Sequence, residues 1–203
     1  IQFQSTFLHL QFSANLLLLF IINKKDQKVE IFRIKGILNI DECNACVREF
    51  ERLYGSTSEI VNPIERLEFE DVSDSRNIDT IVEKHQAIAL KVNEALCFEL
   101  GDLQDSIHTI HGYRKGYRGL PHIDNRKPYE RVKIVVISLL TSPSAFKGGE
   151  LDFFGVNEDK SALTIGMGDA IAFPAYMTHK VKLLESGTRH SFVSMFKGQL
   201  PFR

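Results

Sequence analysis

The chain has no tryptophan, only three cysteines in 203 residues, and almost no excess charge of either sign. Each shortage excludes something. An odd, sparse set of cysteines is no disulfide framework, so a reducing, cytoplasmic setting is expected. A formal net charge of −1 gives no global attraction to nucleic acid or to an anionic membrane. No Pro/Gly/Ser-rich linker and no internal repeat divides the sequence. Its length suits one domain with a real core.

Nor is there an apolar run of the about 20 residues that a membrane span needs. The longest candidate, Leu16–Ile22, follows an alternation of Leu8, Leu10, Phe12 and Ala14 with His9, Gln11, Ser13 and Asn15. That period of two reads as a half-buried strand. With no basic segment before it and no small-residue cleavage site after it, a strand is preferred over a membrane anchor. The first residue is Ile rather than Met, which reads as a fragment or a processed chain.

What is present is the balance of a soluble globular protein, 43% apolar and 25% charged, with fifteen Phe to fill a core. Val29–Ile34 reads as a strand. A helix is expected over Ile40–Tyr54, with Asp41 as N-cap and Gly55 as stop. The polar stretch Ser56–Asn77 reads as a long loop. Ile81, Val82, Ile88, Ala89, Val92 and Leu96 mark a second helix over Asp79–Leu100. Cys43 and Cys46 form a C-x-x-C pair inside the first helix. No second pair completes a zinc site, so they are expected to be half-buried helix thiols.

From Ile107 onward the character changes. Short β-rich runs alternate with turns: Ile107–Tyr113, Val132–Leu140, Leu151–Phe154, Ala162–Ile165, Ala170–Phe173, His179–Leu184 and His190–Phe196. This spacing predicts a sandwich or barrel, with the helices packed on it. Residues 1–28 are set apart as an N-terminal strand or extension, and 29–203 as a single domain.

His122-Ile123-Asp124 lies between a Gly/Pro-containing loop and a strand. If extended, its imidazole and carboxylate point to the same side. His179 follows 55 residues on. Two histidines and a carboxylate with open positions form the facial triad of non-heme Fe(II) oxygenases. An H-x-D alone is weak evidence, because an exposed His-Asp pair is usually surface. Arg189 comes ten residues after His179, with Ser191 on the same strand face. A guanidinium fork with a hydroxyl beside it suits a carboxylate.

The stretch from about Ile107 to Phe196 resembles the prolyl 4-hydroxylase branch of the 2-oxoglutarate/Fe(II) oxygenases. Tyr113-Arg-Lys-Gly116 before His122-Ile-Asp124 is similar to that family's Tyr-x-x-Gly and H-x-D. Gly148-Gly-Glu-Leu151 resembles its Gly-Gly-x-Leu turn, and Gly168-Asp-Ala-Ile-Ala-Phe173 with His179 its closing half. With the upstream helices, the resemblance covers all but the first 28 or so residues. It implies an α+β protein built on a double-stranded β-helix, a cupin-like jelly roll with supporting N-terminal helices. It further implies Fe(II) on His122, Asp124 and His179, and 2-oxoglutarate held by Arg189, with Ser191, Tyr113 and Ser138 as further contacts. Dioxygen would be consumed, succinate and CO2 released, and a C–H bond hydroxylated; ascorbate is a candidate addition. Collagen-type relatives carry Lys where this chain has Arg189, which bears on the substrate.

The implied substrate is a prolyl or other peptidyl residue. The alternatives are a free amino acid or small metabolite, and, more distantly, a non-catalytic jelly-roll module that binds a ligand without iron. A nucleic-acid substrate is disfavoured, because Met195 stands where dealkylases of the superfamily show a second Arg. Arg114, Lys115, Arg118, Arg126, Lys127, Arg131 and Lys133 are expected as a basic rim around the metal motif. Oligomeric state is not legible.

Overall fold

The computed structural model describes residues 31–54, 64–68, 76–155, 162–163 and 165–202. The expected strand in the first 28 residues, and the Gly55 stop, lie outside them. In chain order the elements are β1 (Phe32–Ile34), α1 (Ile40–Tyr54), β2 (Ile64–Glu68), α2 (Arg76–Leu96), β3 (Ile107–Arg114) and β4 (Val132–Leu139). There follow β5 (Phe146–Gly148), β6 (Leu151–Phe153), β7 (Ala162–Leu163), β8 (Ala170–Pro174), β9 (His179–Val181) and β10 (Leu184–Lys197).

Among the described residues the strands form two antiparallel sheets. The larger runs β1-β8-β4-β10-β3-β2, with β5 against the first part of β10; the smaller runs β7-β6-β9. Val135, Ile137 and Val193 from the larger sheet meet Leu151, Phe153 and Val181 from the smaller in one core. The helices cover the opposite face of the larger sheet, where Ile88, Ala89 and Val92 pack on Phe32, Ile134 and Phe196. This is the double-stranded β-helix with supporting N-terminal helices that the sequence led us to expect. Strand β4 is buried at every position because it is covered on both sides. Each large apolar side chain buried there contributes roughly 1.5–3 kcal/mol.

Helix α1 spans Ile40–Tyr54 as expected, but its cap lies two residues before Asp41. Asn39 is the cap: its Oδ1 accepts from the Glu42 N–H at 2.9 Å, and the Glu42 carboxylate accepts from the Asn39 N–H at 2.8 Å. Reciprocal bonding of this kind is a capping box. The inward face carries Cys43, Cys46 and Phe50, and both thiols are fully buried rather than half-buried. Burial pushes Cys43 up to about 11 and Cys46 to about 12, so neither offers a thiolate to a metal.

Helix α2 is shorter at its end than the apolar stripe implied. It stops at Leu96, and Cys97 takes a left-handed φ of 52°. The backbone beyond pairs elsewhere: Leu100 bridges Gly198, and the Gly101 N–H donates to the Lys197 carbonyl. Strand β2 lies inside the stretch expected to be loop and pairs with β3. Its sequence, IERLE, has no period-two pattern and carries the charges common on edge strands. Strand β10 is also longer than expected, running unbroken from Leu184. No helix among the described residues is long and apolar enough to cross a membrane.

Candidate metal centre

The two sheets are stitched together at the site itself. The His122 N–H donates to the His179 carbonyl at 3.0 Å, and the His179 N–H returns the bond at 2.9 Å. The Asp124 N–H donates to Ala175 O at 2.9 Å. These bonds hold H-x-D extended, so His122 and Asp124 share a side with His179 opposite. The Asp124 carboxylate lies 3.5 Å from each Nε2, one oxygen to each ring. All three candidate ligand atoms fall within 4.8 Å of one another.

The tautomers follow from the second nitrogens. His122 Nδ1 lies 2.8 Å from the Leu120 carbonyl and His179 Nδ1 lies 3.0 Å from the Met177 carbonyl. A carbonyl only accepts, so each Nδ1 carries the hydrogen, and in that neutral tautomer Nε2 presents a lone pair. Two lone pairs and a carboxylate then converge with no donor among them, an arrangement that calls for a cation. Carbonyl bonds to the outer nitrogen are also how metal-binding histidines are oriented. Phe173 sits edge-on to the His179 ring at 4.9 Å, and Phe153 lies 5.7 Å away. Burial beneath them lowers the His179 pKa from its ordinary value, with the Asp124 carboxylate acting the other way. The donor set therefore fits Fe(II), with positions left open to the cavity.

That cavity has a volume of about 130 Å³ and is lined by the triad together with His111, Tyr113, Tyr117, Arg126, Tyr129 and Met195, among others. Tyr129 is 42% exposed, so the cavity reaches solvent on its side. A second cavity of about 230 Å³ is walled by Gly149, Ile165 and Arg189, and Leu151 lines both. Arg189 is only 5% exposed, yet among the described residues no carboxylate stands within ion-pair distance of it. It donates from Nη1 to Ser191 Oγ at 2.7 Å, and its guanidinium lies 5.1 Å from the centre of the Tyr113 ring. Gly149 is needed here. Its φ is +71°, and a Cβ would stand 3.3 Å from the Arg189 side chain and closer still to Leu184.

Of the residues singled out from sequence, the structure thus brings together His122, Asp124 and His179, with Tyr113 in the same cavity wall. Arg189 and Ser191 lie alongside. Ser138 is the exception: it points to the opposite face of the sheet, where its hydroxyl is 2.7 Å from His85 Nε2 on α2. The basic rim is also corrected. Arg131 pairs with Asp105, Lys133 is buried with its ammonium over the Phe202 ring, and Arg118 lines a separate groove with Lys147, Lys180 and Lys182. Of the seven cations, Arg126 lines the cavity. His111, Tyr117 and Tyr129 were missed. His111 was findable, since it lies two residues from Tyr113 on a predicted strand and shares its face.

A double-stranded β-helix with two histidines and a carboxylate beside an open cavity has the donor arrangement of a non-heme facial triad. No family model and no curated protein sequence matches the chain. Solved structures do. A prolyl-4-hydroxylase from Pseudomonas putida is 18% identical with a TM-score of 0.65, covering 84% of this chain and 93% of that one. A viral collagen prolyl hydroxylase from Paramecium Bursaria Chlorella virus-1, solved as a 2OG complex, is 16% identical with a TM-score of 0.62, covering 84% and 96%. A prolyl hydroxylase from Trichoplax adhaerens, in complex with a hypoxia inducible factor oxygen degradation domain peptide fragment, is 15% identical with a TM-score of 0.59, covering 83% and 84%. The fold is accordingly the one these three prolyl hydroxylase structures share.

Proposed function

We propose that this chain is an Fe(II)- and 2-oxoglutarate-dependent dioxygenase that hydroxylates a C–H bond of a peptidyl substrate, a prolyl residue foremost. The reading takes 29–203 as one catalytic domain and 1–28 as an extension of it. His122, Asp124 and His179 would hold the metal; Arg189, with Ser191 and Tyr113, would hold a carboxylate of 2-oxoglutarate. One observation carries the proposal: an acceptor-only triad that calls for a cation lies near a buried guanidinium that has no carboxylate within ion-pair distance among the described residues and so calls for an anion. A buried charge left unpaired costs several kcal/mol, so an anionic ligand at Arg189 relieves a real penalty.

When bound, iron, 2-oxoglutarate and dioxygen supply the oxidising chemistry, with release of succinate and CO2. The chain's own work is positioning and shielding. The Leu120 and Met177 carbonyls lock both imidazoles in the ligating tautomer. Phe153 and Phe173 keep water from the His179 side, and the Arg189 fork fixes the orientation of a carboxylate. The peptide bound to the Trichoplax neighbour supports a peptidyl substrate, and Tyr129 and Arg126 at the solvent side of the cavity offer it contacts.

The test is anaerobic binding of Fe(II) and 2-oxoglutarate, then aerobic succinate release, on wild type and His179→Ala. The expected result is binding of both, slow uncoupled succinate formation, and its loss in the variant. Proline-containing peptides should then raise turnover; if only free amino acids do so, the small-molecule reading replaces the peptidyl one. Wild type that binds neither iron nor 2-oxoglutarate would refute the oxygenase reading altogether.

A further inference from the structure

His111 is a polar group inside the barrel to which the proposed reaction gives no task. It is buried on β3 and lines the triad's cavity. Both its ring nitrogens are engaged: Nδ1 lies 3.0 Å from the Tyr113 hydroxyl and Nε2 lies 2.9 Å from Thr109 Oγ1. A neutral imidazole has one N–H and one lone pair, so the two bonds must run in one direction along the strand. If Nε2 carries the hydrogen, His111 donates to Thr109 and Tyr113 gives its own hydrogen to Nδ1. If Nδ1 carries it, Thr109 donates to Nε2 and His111 donates to the Tyr113 oxygen. The phenolic hydrogen is then not taken by His111.

The neighbouring groups favour the second direction once a ligand is present. Arg189, over the Tyr113 ring, marks this wall as an anion receptor, and an anion only accepts. The first direction would aim an oxygen lone pair at that anion; the second aims a hydrogen at it. Ser191 follows the same pattern, because its oxygen accepts from Arg189 and its own hydrogen therefore points away from the guanidinium.

We propose that His111 is a positioning residue, which by donating from Nδ1 makes the Tyr113 hydroxyl a hydrogen-bond donor to the anionic cosubstrate. The inference rests on the 2-oxoglutarate reading given above and deepens it.

Calorimetric binding of 2-oxoglutarate to the Zn(II)-loaded protein tests it without turnover. His111→Leu and Tyr113→Phe should each weaken binding by about ten-fold, the loss of a hydrogen bond to a charged group. The double variant should be no weaker than Tyr113→Phe alone, because His111 acts only through that hydroxyl. His111→Asn, which can place an amide N–H near the Nδ1 position, should recover most of the affinity. Nitrogen-15 chemical shifts of the wild-type ring, with Zn(II) and 2-oxoglutarate bound, should report hydrogen on Nδ1, and this needs no variant to fold. Hydrogen on Nε2 in that complex, or additive losses in the double variant, would overturn the proposal while leaving the cosubstrate reading intact. Wild type that binds no 2-oxoglutarate would bring down both.

Discussion

Acidification from pH 7.5 to 4.5 should destabilise this protein steeply, and much of the effect should pass through His85. The ring is fully buried between α2 and the larger sheet, held by Ser194 at Nδ1 (2.8 Å) and Ser138 at Nε2 (2.7 Å). Burial, with His108 a lesser contributor, pushes its pKa down to about 3. An unfolded chain takes up that proton near the ordinary value of 6.5. Between those limits the unfolded state binds more protons, so the contribution is whole above about pH 6.5 and drains as pH falls toward 3. The slope is about 1.4 kcal/mol for each pH unit. Two units therefore remove about 3 kcal/mol, a large part of a typical stability of 5–15 kcal/mol. His108 and His190, both lowered to about 4 chiefly by burial, steepen the loss over the same range.

The variant that isolates His85 is His85→Phe, followed by urea denaturation at intervals from pH 7.5 to 4.5. At pH 7.5 it should be less stable than wild type by about 2–4 kcal/mol, because two buried hydrogen bonds go: Ser138 loses its ring partner and Ser194 is left with His108 at 2.9 Å. Below about pH 6.5 the gap should close by about 1.4 kcal/mol per unit, so the two stability curves meet near about pH 4.5. Differences between the two proteins cancel the titration of groups they share. A gap that stays constant across this range would refute the reasoning, because it would mean His85 accepts its proton in the folded state.

Other outcomes are expected from single contacts. Asn39→Ala removes the α1 cap and should lower stability by about 1 kcal/mol, read from the urea midpoint. Gly112→Ala should destabilise by at least about 2 kcal/mol or displace α1, because a Cβ there would overlap the Phe50 ring; thermal unfolding would register it. With a thiol reagent at pH 8, the exposed Cys97 should react in the native protein, whereas Cys43 and Cys46 should react only in denaturant. Arg189→Ala should raise the KM for 2-oxoglutarate by about ten- to a hundred-fold, and an unchanged KM would remove Arg189 from the proposed site.

Two pairs within the cluster were legible from short-range geometry, whereas His179, 55 residues beyond Asp124, was joined to them by the family resemblance. An i, i+2 pair in extended chain faces one way whatever the strand pairs with, so His122 with Asp124, and Arg189 with Ser191, could be matched from spacing alone. Elements fixed by distant partners were harder. The IERLE segment of β2 becomes a strand because β3 offers it backbone bonds, and α2 stops at Leu96 where the following backbone pairs near Gly198. Neither partner is near in sequence. The α1 cap was a different miss, since Asn39 and Glu42 stand three apart as a capping box requires.

Ser138 shows where spacing stops being enough. It lies on a strand that does line the site, and its own strand offered no way to choose between faces, since β4 is buried on both. The choice is made by register with β10. Val193, on the inner face, stands opposite Ile137, and Ser191 opposite Leu139, so the odd-numbered residues of β4 look toward the cavities. Ser138 pairs with Phe192 and must look the other way, toward His85. A slip of one residue would have exchanged the two faces and put Ser138 inside. His85 works against that slip. It sits on the helix side of the sheet and bonds Ser138 and Ser194 together, so a register that buried Ser138 in the barrel would leave its imidazole among apolar groups without that hydroxyl. The serine misassigned to the cosubstrate thus helps hold the register of β4 on β10 that sets Ile137 opposite Val193 on the cavity side.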